Sequence, residues 1–364
     1  MDRASAEGAG TVSVLERTAE APGTELGAIV AGRRRRLRRR AAATAVLTLL
    51  TAGVFALSLM LGHTFYSPAE IVRVILGETV PGASFTVGEL RLPRAAMGLL
   101  AGFAFGLAGV VFQTMLRNPL ASPDIIGINV GASAAAVFAI IILGLSETAV
   151  SLFALAGALL TAGAIYLLSH RGGFTGTRLI LIGIGVAAML NSVVTWVLSK
   201  ASSWDLPTAM QWLTGSLNGA TWGAMLPLAL AFVVVVPLLM TEGRNLGALR
   251  LGDDSAAGLG VRVERTRLLL LVGAVALLAF ATAAAGPIAF VAFMSGPIAA
   301  RIVGSGASLL LPAGLVGALL VLTSDLVGQF AFDTRYPVGV VTGVLGAPYL
   351  IYLLVRTNRS GGSI

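Results

Sequence analysis

Few side chains in this chain could carry chemistry, and their scarcity is informative. There is no cysteine, which excludes disulfides, thiolate metal ligands and cysteine nucleophiles. The two histidines, His63 and His170, fall at opposite ends of the apolar segments, so a histidine-based metal site is not expected. Lys200 is the sole lysine and is followed by Ala201, so no GxxxxGK(S/T) loop exists and the chain cannot cradle the phosphates of ATP by itself. HExxH and GxSxG are also missing. Within the apolar runs the one acidic group that stands out is Asp325, near the end of its run. What remains is a pair of arginines three residues apart, Arg91 and Arg94, and an acidic pair, Asp253 and Asp254, in a long polar stretch.

The elements that must position these groups are membrane helices. The chain is 56% hydrophobic and 12% charged, with a mean hydropathy of +0.90, a composition outside that of soluble domains. A bilayer needs about 20 apolar residues per helix. Apolar runs occur at 41–61, 92–115, 124–143, 147–169, 178–198, 222–241, 267–285, 287–303, 309–328 and 338–355. They predict an all-α integral membrane protein with about ten transmembrane helices, the 287–303 segment being the weakest because Pro287 and Pro297 interrupt it. Between Arg91 and Ser133, two such helices meet at a turn broken by Pro119 and Pro123. Gly102, Gly106 and Gly109 lie on one face of the first, where small residues let backbones approach.

Residues 1–40 read as a disordered basic cytoplasmic tail, 41–356 as the membrane domain and 357–364 as a second tail. The Arg33–Arg40 run accounts for most of the net charge of +8 and marks a cytoplasmic anchor, not a nucleic-acid surface. With both termini inside, only Arg73, Arg91, Arg94, Lys200 and Arg335 fall outside. The outer connection 199–221 and its edge carry Trp204, Trp212 and Trp222, an interfacial belt. The inner connection between Thr241 and Arg267 holds the acidic pair. Asp253 or Asp254 is placed to cap a short helix there, and Gly258 and Gly260 to end it.

Arg91 and Arg94 thus lie outside, against the charge trend, and at a helix N-terminus, where a cation costs ~0.3–1 kcal/mol. Pro93 suits that first turn. Two small penalties in one place point to a use; pairing with Glu89 or with lipid phosphate is the competing explanation. Proton- or sodium-coupled carriers keep ionisable groups at mid-membrane. This chain nearly lacks them, so energy for uphill transport is expected from another subunit.

Six motifs in order resemble one family: RLPR (91–94), QTMLRNPLASPDIIGINVGA (113–132), LGDDSAAGLGV (251–261), GPIAFVAF (286–293), LPAGLVGALL (311–320) followed by Asp325, and YPVGVVTGVLGAPYLIYLL (336–354). The chain resembles the FecCD-type permease subunits of bacterial importers for iron-siderophore, haem or cobalamin, over about residues 41–356. The resemblance implies the ten-helix, BtuC-like fold of type II ABC importer permeases, in the cell membrane. It implies a second permease, paralogous or identical, two cytoplasmic ATPases that use ATP and Mg, and an extracytoplasmic binding protein, with no cofactor held by this chain. By the same resemblance Arg91 and Arg94 meet acidic residues of the binding protein. The segment Leu251, Gly252, Asp253, Asp254, Ser255, Ala256, Ala257, Gly258, Leu259 and Gly260, within the loop 244–265, sits in an ATPase groove. Asn191, Thr195, Trp196 and Thr342 either line the translocation path or make interhelical hydrogen bonds. The chain departs from the family in two places. The usual histidine is missing from Pro297-Ile298-Ala299-Ala300-Arg301, and Gln329 stands where an arginine often follows the Asp325 motif, with Arg335 as the candidate replacement. The resemblance implies a ferric siderophore as cargo, catecholate-type, and the lack of ligands for bare iron agrees that the metal stays chelated; haem or cobalamin is the alternative cargo, and an ion-coupled carrier working alone the alternative class.

One expectation follows directly. Purified alone, the chain should hydrolyse no ATP above background in a phosphate-release assay; clear turnover would contradict the missing phosphate loop.

Overall fold

The computed structural model describes residues 22–170, 176–304 and 308–359, and among these every regular element is a helix. The chain divides into a unit up to Ala45 and a unit from Val46 onward. In the first, α1 (Pro22–Met60) begins. Residues 22–40 were expected to be irregular, but they are helical; Ala, Glu, Leu and Arg are good helix formers, and the spanning run extends the helix they begin. The arginines of the Arg33–Arg40 run are largely exposed along it. The expectation for residues 1–21 lies outside the described residues.

The second unit is built around α3 (Leu92–Met115), which continues without a break from a π-helical turn over Thr86–Arg91. In the most apolar window of this continuous segment 83% is buried, against 17% in α6 (Gly176–Leu198) and 28% in α14 (Val338–Arg359), so α3 is interior while α6 and α14 keep an open flank. Against it pack α8 (Trp222–Thr241), α11 (Val263–Ala285), α12 (Val291–Val303) and α13 (Leu310–Phe330), while α4 (Ile128–Ile141) and α5 (Glu147–His170) pack on each other and on α11. Among the described residues, eight helices are long and apolar enough to cross a bilayer. The remaining two runs form α4 and α12, of 14 and 13 residues. At 1.5 Å per residue these reach only ~20 Å, short of the ~30 Å hydrocarbon core, so they need their neighbours' cover.

The glycine face of α3 is used as expected. Gly102 lies against the backbone of Gly317 and Ala318, Gly106 against the Ala313 carbonyl, and Gly109 against Ala292. In lipid no hydrophobic force drives helices together, so this backbone proximity supplies dispersion contacts that larger side chains would block. Phe103 closes the outer flank edge-on to Phe232, with centroids 5.1 Å apart.

The connections are short helices. At one end are α2 (Pro68–Ile75) and α7 (Asp205–Thr214); at the other are α9 (Gly243–Leu249) and α10 (Asp253–Gly258). Ser67 and Glu70 form a reciprocal capping box on α2. Hydrogen bonds from the Ser67 backbone and then its hydroxyl hold the Glu70 carboxyl below its ordinary value. That contribution to folding is present at neutral pH and is lost as acid protonates the carboxylate.

A Cβ at Gly109 would strike the Ala292 carbonyl, whereas nothing lies within 4 Å of one at Gly163 on α5. Gly109→Val should therefore lower stability by ~1–3 kcal/mol or more, seen as a reduced unfolding temperature in detergent, and Gly163→Val should not. Equal midpoints would mean that α3 can shift away without cost.

Candidate functional site

The side chains that sequence singled out gather at the two ends of α3. At the first end, Arg91 lies about two turns inside a continuous helical segment that begins at Ala83, so the helix-start penalty expected from the sequence does not fall on it. Its guanidinium reaches α1. Nη1 donates to the carbonyls of Leu59 and Met60 at 2.9 and 3.0 Å, and Nη2 to the Thr64 carbonyl at 2.7 Å. Leu59 and Met60 close α1, and a helix C-terminus favours a cation; Thr64 lies just beyond it, and the Met60 carbonyl also accepts from the Tyr66 N–H at 3.2 Å. The group also lies 4.9 Å from the centroid of the Tyr66 ring. Arg91 is thus bound to the end of α1 and the turn after it, and Glu89 is not among the partners these contacts give it.

Arg94 is held from the opposite side. Its Nε and Nη2 donate to the two carboxylate oxygens of Asp325 at 2.9 and 2.7 Å, a bidentate pair linking α3 to α13. Gln329, one turn on, donates to Asp325 at 2.7 Å, and Nη1 of Arg94 donates to Asn218 at 2.7 Å. The Asp325 side chain is 7% exposed and that of Arg94 21%, so the pair is mostly removed from solvent. The departure at Gln329 has a local reason: an amide donor there completes the carboxylate's bonding without adding a second cation. Arg335 is exposed and donates to Nε2 of His63 at 2.7 Å, which requires that nitrogen to be unprotonated.

At the other end of α3 lies α10. Its N-cap is Gly252, and neither Asp253 nor Asp254 caps it, a correction to the sequence expectation. The Asp253 carboxylate is engaged elsewhere, with Arg117 at 2.7 Å and Arg267 at 2.8 Å. Ala256 is buried, while Ala257, Gly258, Leu251 and Leu259 face outward, the two leucines 67% and 66% exposed. The Pro-broken turn after α3 is fixed by a buried chain: Asn129 donates to Asp124, and Thr282 of α11 donates to Asn129 at 2.9 Å.

Asn191, Thr195 and Trp196 share the open flank of α6 and are exposed; the Thr195 hydroxyl donates to the Asn191 carbonyl at 3.0 Å. Thr342 does not join them. It is fully buried and donates to the Gly339 carbonyl at 3.2 Å, so this chain's own packing removes it from any exposed path. Among the described residues no cluster of His, Asp or Glu could hold a metal ion. Sequence reasoning missed the roles of Arg117, Asn218 and His63, whose partners lie 132, 124 and 272 positions away. The available signal for Arg94 and Asp325 was that both sat at outer helix ends in a chain poor in charge.

The model of the FecCD transport family matches residues 49–356. The chain is 42% identical over 315 residues to the ferric enterobactin transport system permease protein FepG of Escherichia coli strain K12, covering 86% of this chain and 95% of that one. It is 37% identical to the iron(3+)-hydroxamate import system permease protein FhuG of Bacillus subtilis strain 168, covering 86% and 96%. A solved structure described as an inward-facing conformation of a metal-chelate type ABC transporter superposes with a TM-score of 0.77 at 27% identity, covering 86% of this chain and 98% of that one.

Removing one partner of the Arg94–Asp325 pair leaves a mostly buried charge uncompensated. Full burial would cost ~3–5 kcal/mol; with Arg94 partly exposed, Asp325→Leu should cost about 1–3 kcal/mol. Arg94→Met combined with Asp325→Leu should recover part of that loss. A double-mutant cycle by denaturant unfolding in detergent decides, and strict additivity would mean that the two groups do not interact.

Proposed function

We propose, the chain belonging to the FecCD transport family, that it is the permease subunit of an ABC importer carrying a ferric siderophore of the catecholate type into the cytoplasm. It is a multi-pass protein of the cell membrane. The observation that carries the cargo assignment is the 42% identity to FepG across 95% of that protein. The chain's chemistry agrees: with no cysteine it offers few ligands for bare iron, so the chelator must keep the metal coordinated throughout. The chain is a transport subunit without a phosphate loop, and ATP and Mg belong to partner ATPases.

Geometry supports a division of labour between the ends of α3. The charge count puts the Arg91, Arg94 and Arg335 end outside, where a binding protein delivers cargo. Arg335 is the most available of the three to an acidic partner, since Arg91 and Arg94 already serve internal carbonyls and Asp325. The opposite end presents α10, with Leu251, Ala257, Gly258 and Leu259 outward, as the piece that enters an ATPase groove. The open flank of α6 exposes Ile184, Val193 and Trp196 and that of α14 Val344 and Ile351, apolar surfaces suited to cover by a second permease, with the path between the two subunits.

Deleting the gene should abolish uptake of iron supplied as a ferric catecholate siderophore and spare haem and cobalamin; the reverse pattern would refute the assignment. In the restored strain, Ala257→Trp places a bulky ring on the outward face of α10 and should reduce uptake at least tenfold while membrane levels stay normal. Unimpaired uptake would show that this face meets no groove.

A further inference from the structure

The junction after α3 contains a residue that its backbone disfavours. The Asn118 N–H donates to the Gln113 carbonyl at 3.0 Å and the Arg117 N–H to the Thr114 carbonyl at 3.2 Å, a helix ending that forces its penultimate residue into left-handed conformation. Arg117 has φ 50°. Among the described residues ten glycines have positive φ and only Arg117 and Phe290 join them. The chain makes the same ending at α10, through the Gly260 N–H to the Ala257 carbonyl at 2.9 Å and the Val261 N–H to the Ala256 carbonyl at 3.0 Å, and there it uses glycine, at φ 84°. A side chain with a Cβ costs free energy at such a position.

What glycine could not supply is the guanidinium. Nε of Arg117 donates to the carbonyl of Leu249, the last residue of α9, at 3.2 Å. Nη2 donates to Asp253, the first residue of α10, at 2.7 Å. The other oxygen of Asp253 accepts from Arg267 near the start of α11 at 2.8 Å. The first turn of α10 is therefore gripped between the end of α3 and the start of α11. The Arg117 and Asp253 side chains are each 47% exposed, so the pair adds little to stability in water. Covered by a protein partner, the same pair would be desolvated and its attraction strengthened.

We propose that Arg117 is a positioning residue that fastens α10 to α3, so that displacement of α10 moves the helix whose far end carries Arg94. A strained cation kept for a contact of small stabilising value is accounted for by what that contact transmits. The α3 backbone lies directly against α12 and α13, which makes it stiff enough to pass on the displacement. This inference rests on the reading of α10 as the segment that meets the ATPase.

The test uses the whole complex, purified through a tag on this chain and reconstituted in liposomes with its binding protein. The readouts are ferric siderophore taken up per ATP hydrolysed and the unfolding midpoint of the complex. Arg117→Gly relieves the backbone and removes the guanidinium. It should leave the midpoint unchanged or raised and ATP hydrolysis intact, while uptake per ATP falls about fivefold or more, the lower range of ordinary coupling between sites. Asp253→Asn should likewise lower uptake per ATP, and the double variant should lower it no further than either, because both break one link. Arg117→Lys keeps a charge for Asp253 but loses the forked geometry and should fall between. Wild-type uptake per ATP in Arg117→Gly, or a parallel fall of hydrolysis, midpoint and uptake, would overturn the proposal and leave Arg117 a helix terminator. Wild-type complex that hydrolyses ATP without uptake would instead count against the proposed function, and with it this inference, before any variant is compared.

Discussion

The structure depends on how closely the backbone of α3 lies against those of α12 and α13. Lipid is as apolar as leucine, so apolar side chains alone give two membrane helices no reason to associate. What holds them is contact, and contact is greatest where side chains are absent: Gly102 and Gly106 against Gly317 and Ala313, and Gly109 against Ala292. The 24 residues of α3 span ~36 Å, so one stiff interior element joins the two surfaces of the membrane. Elements with open flanks, among them α6, α8 and α14, lie toward the outside of this arrangement.

Charge follows the same economy. Arg91 and Arg94 lie within the helical segment that begins at Ala83, and each guanidinium turns to negative groups elsewhere, Arg91 to the carbonyls that close α1 and Arg94 to Asp325 on α13. These bonds also pin the start of α3 to two other helices. At the far end Arg117 and Arg267 do the same for α10 through Asp253. Each end of α3 is thus tied by arginine to neighbouring helices.

The class, the approximate helices and the glycine face were legible in the sequence because each is written in local composition and spacing. Helix length was less so. Gly127 (φ 93°) and Phe290 (φ 62°) turn the backbone out of the helical region just before α4 and α12, leaving both short. The helical state of residues 22–40 was obscured by the Gly and Thr content of the segment before it. The site was legible as a set of positions and not as a set of bonds. That Asp253 and Asp254 open α10 could be read locally; that Asp253 binds Arg117, 136 positions away, could not. Thr342 was left open because a hydroxyl in a helix serves a path or a neighbouring carbonyl equally well on paper; its full burial and its bond to Gly339 come from packing.

The central claim is that this chain moves its cargo with energy supplied by partner ATPases and not by an ion gradient of its own. The direct measurement is uptake of radiolabelled ferric siderophore into liposomes holding the complex isolated through this chain, with binding protein outside and ATP inside. Uptake should require ATP and binding protein and should persist when ionophores collapse proton and sodium gradients. Uptake by this chain alone, independent of ATP and abolished by the ionophores, would contradict the account.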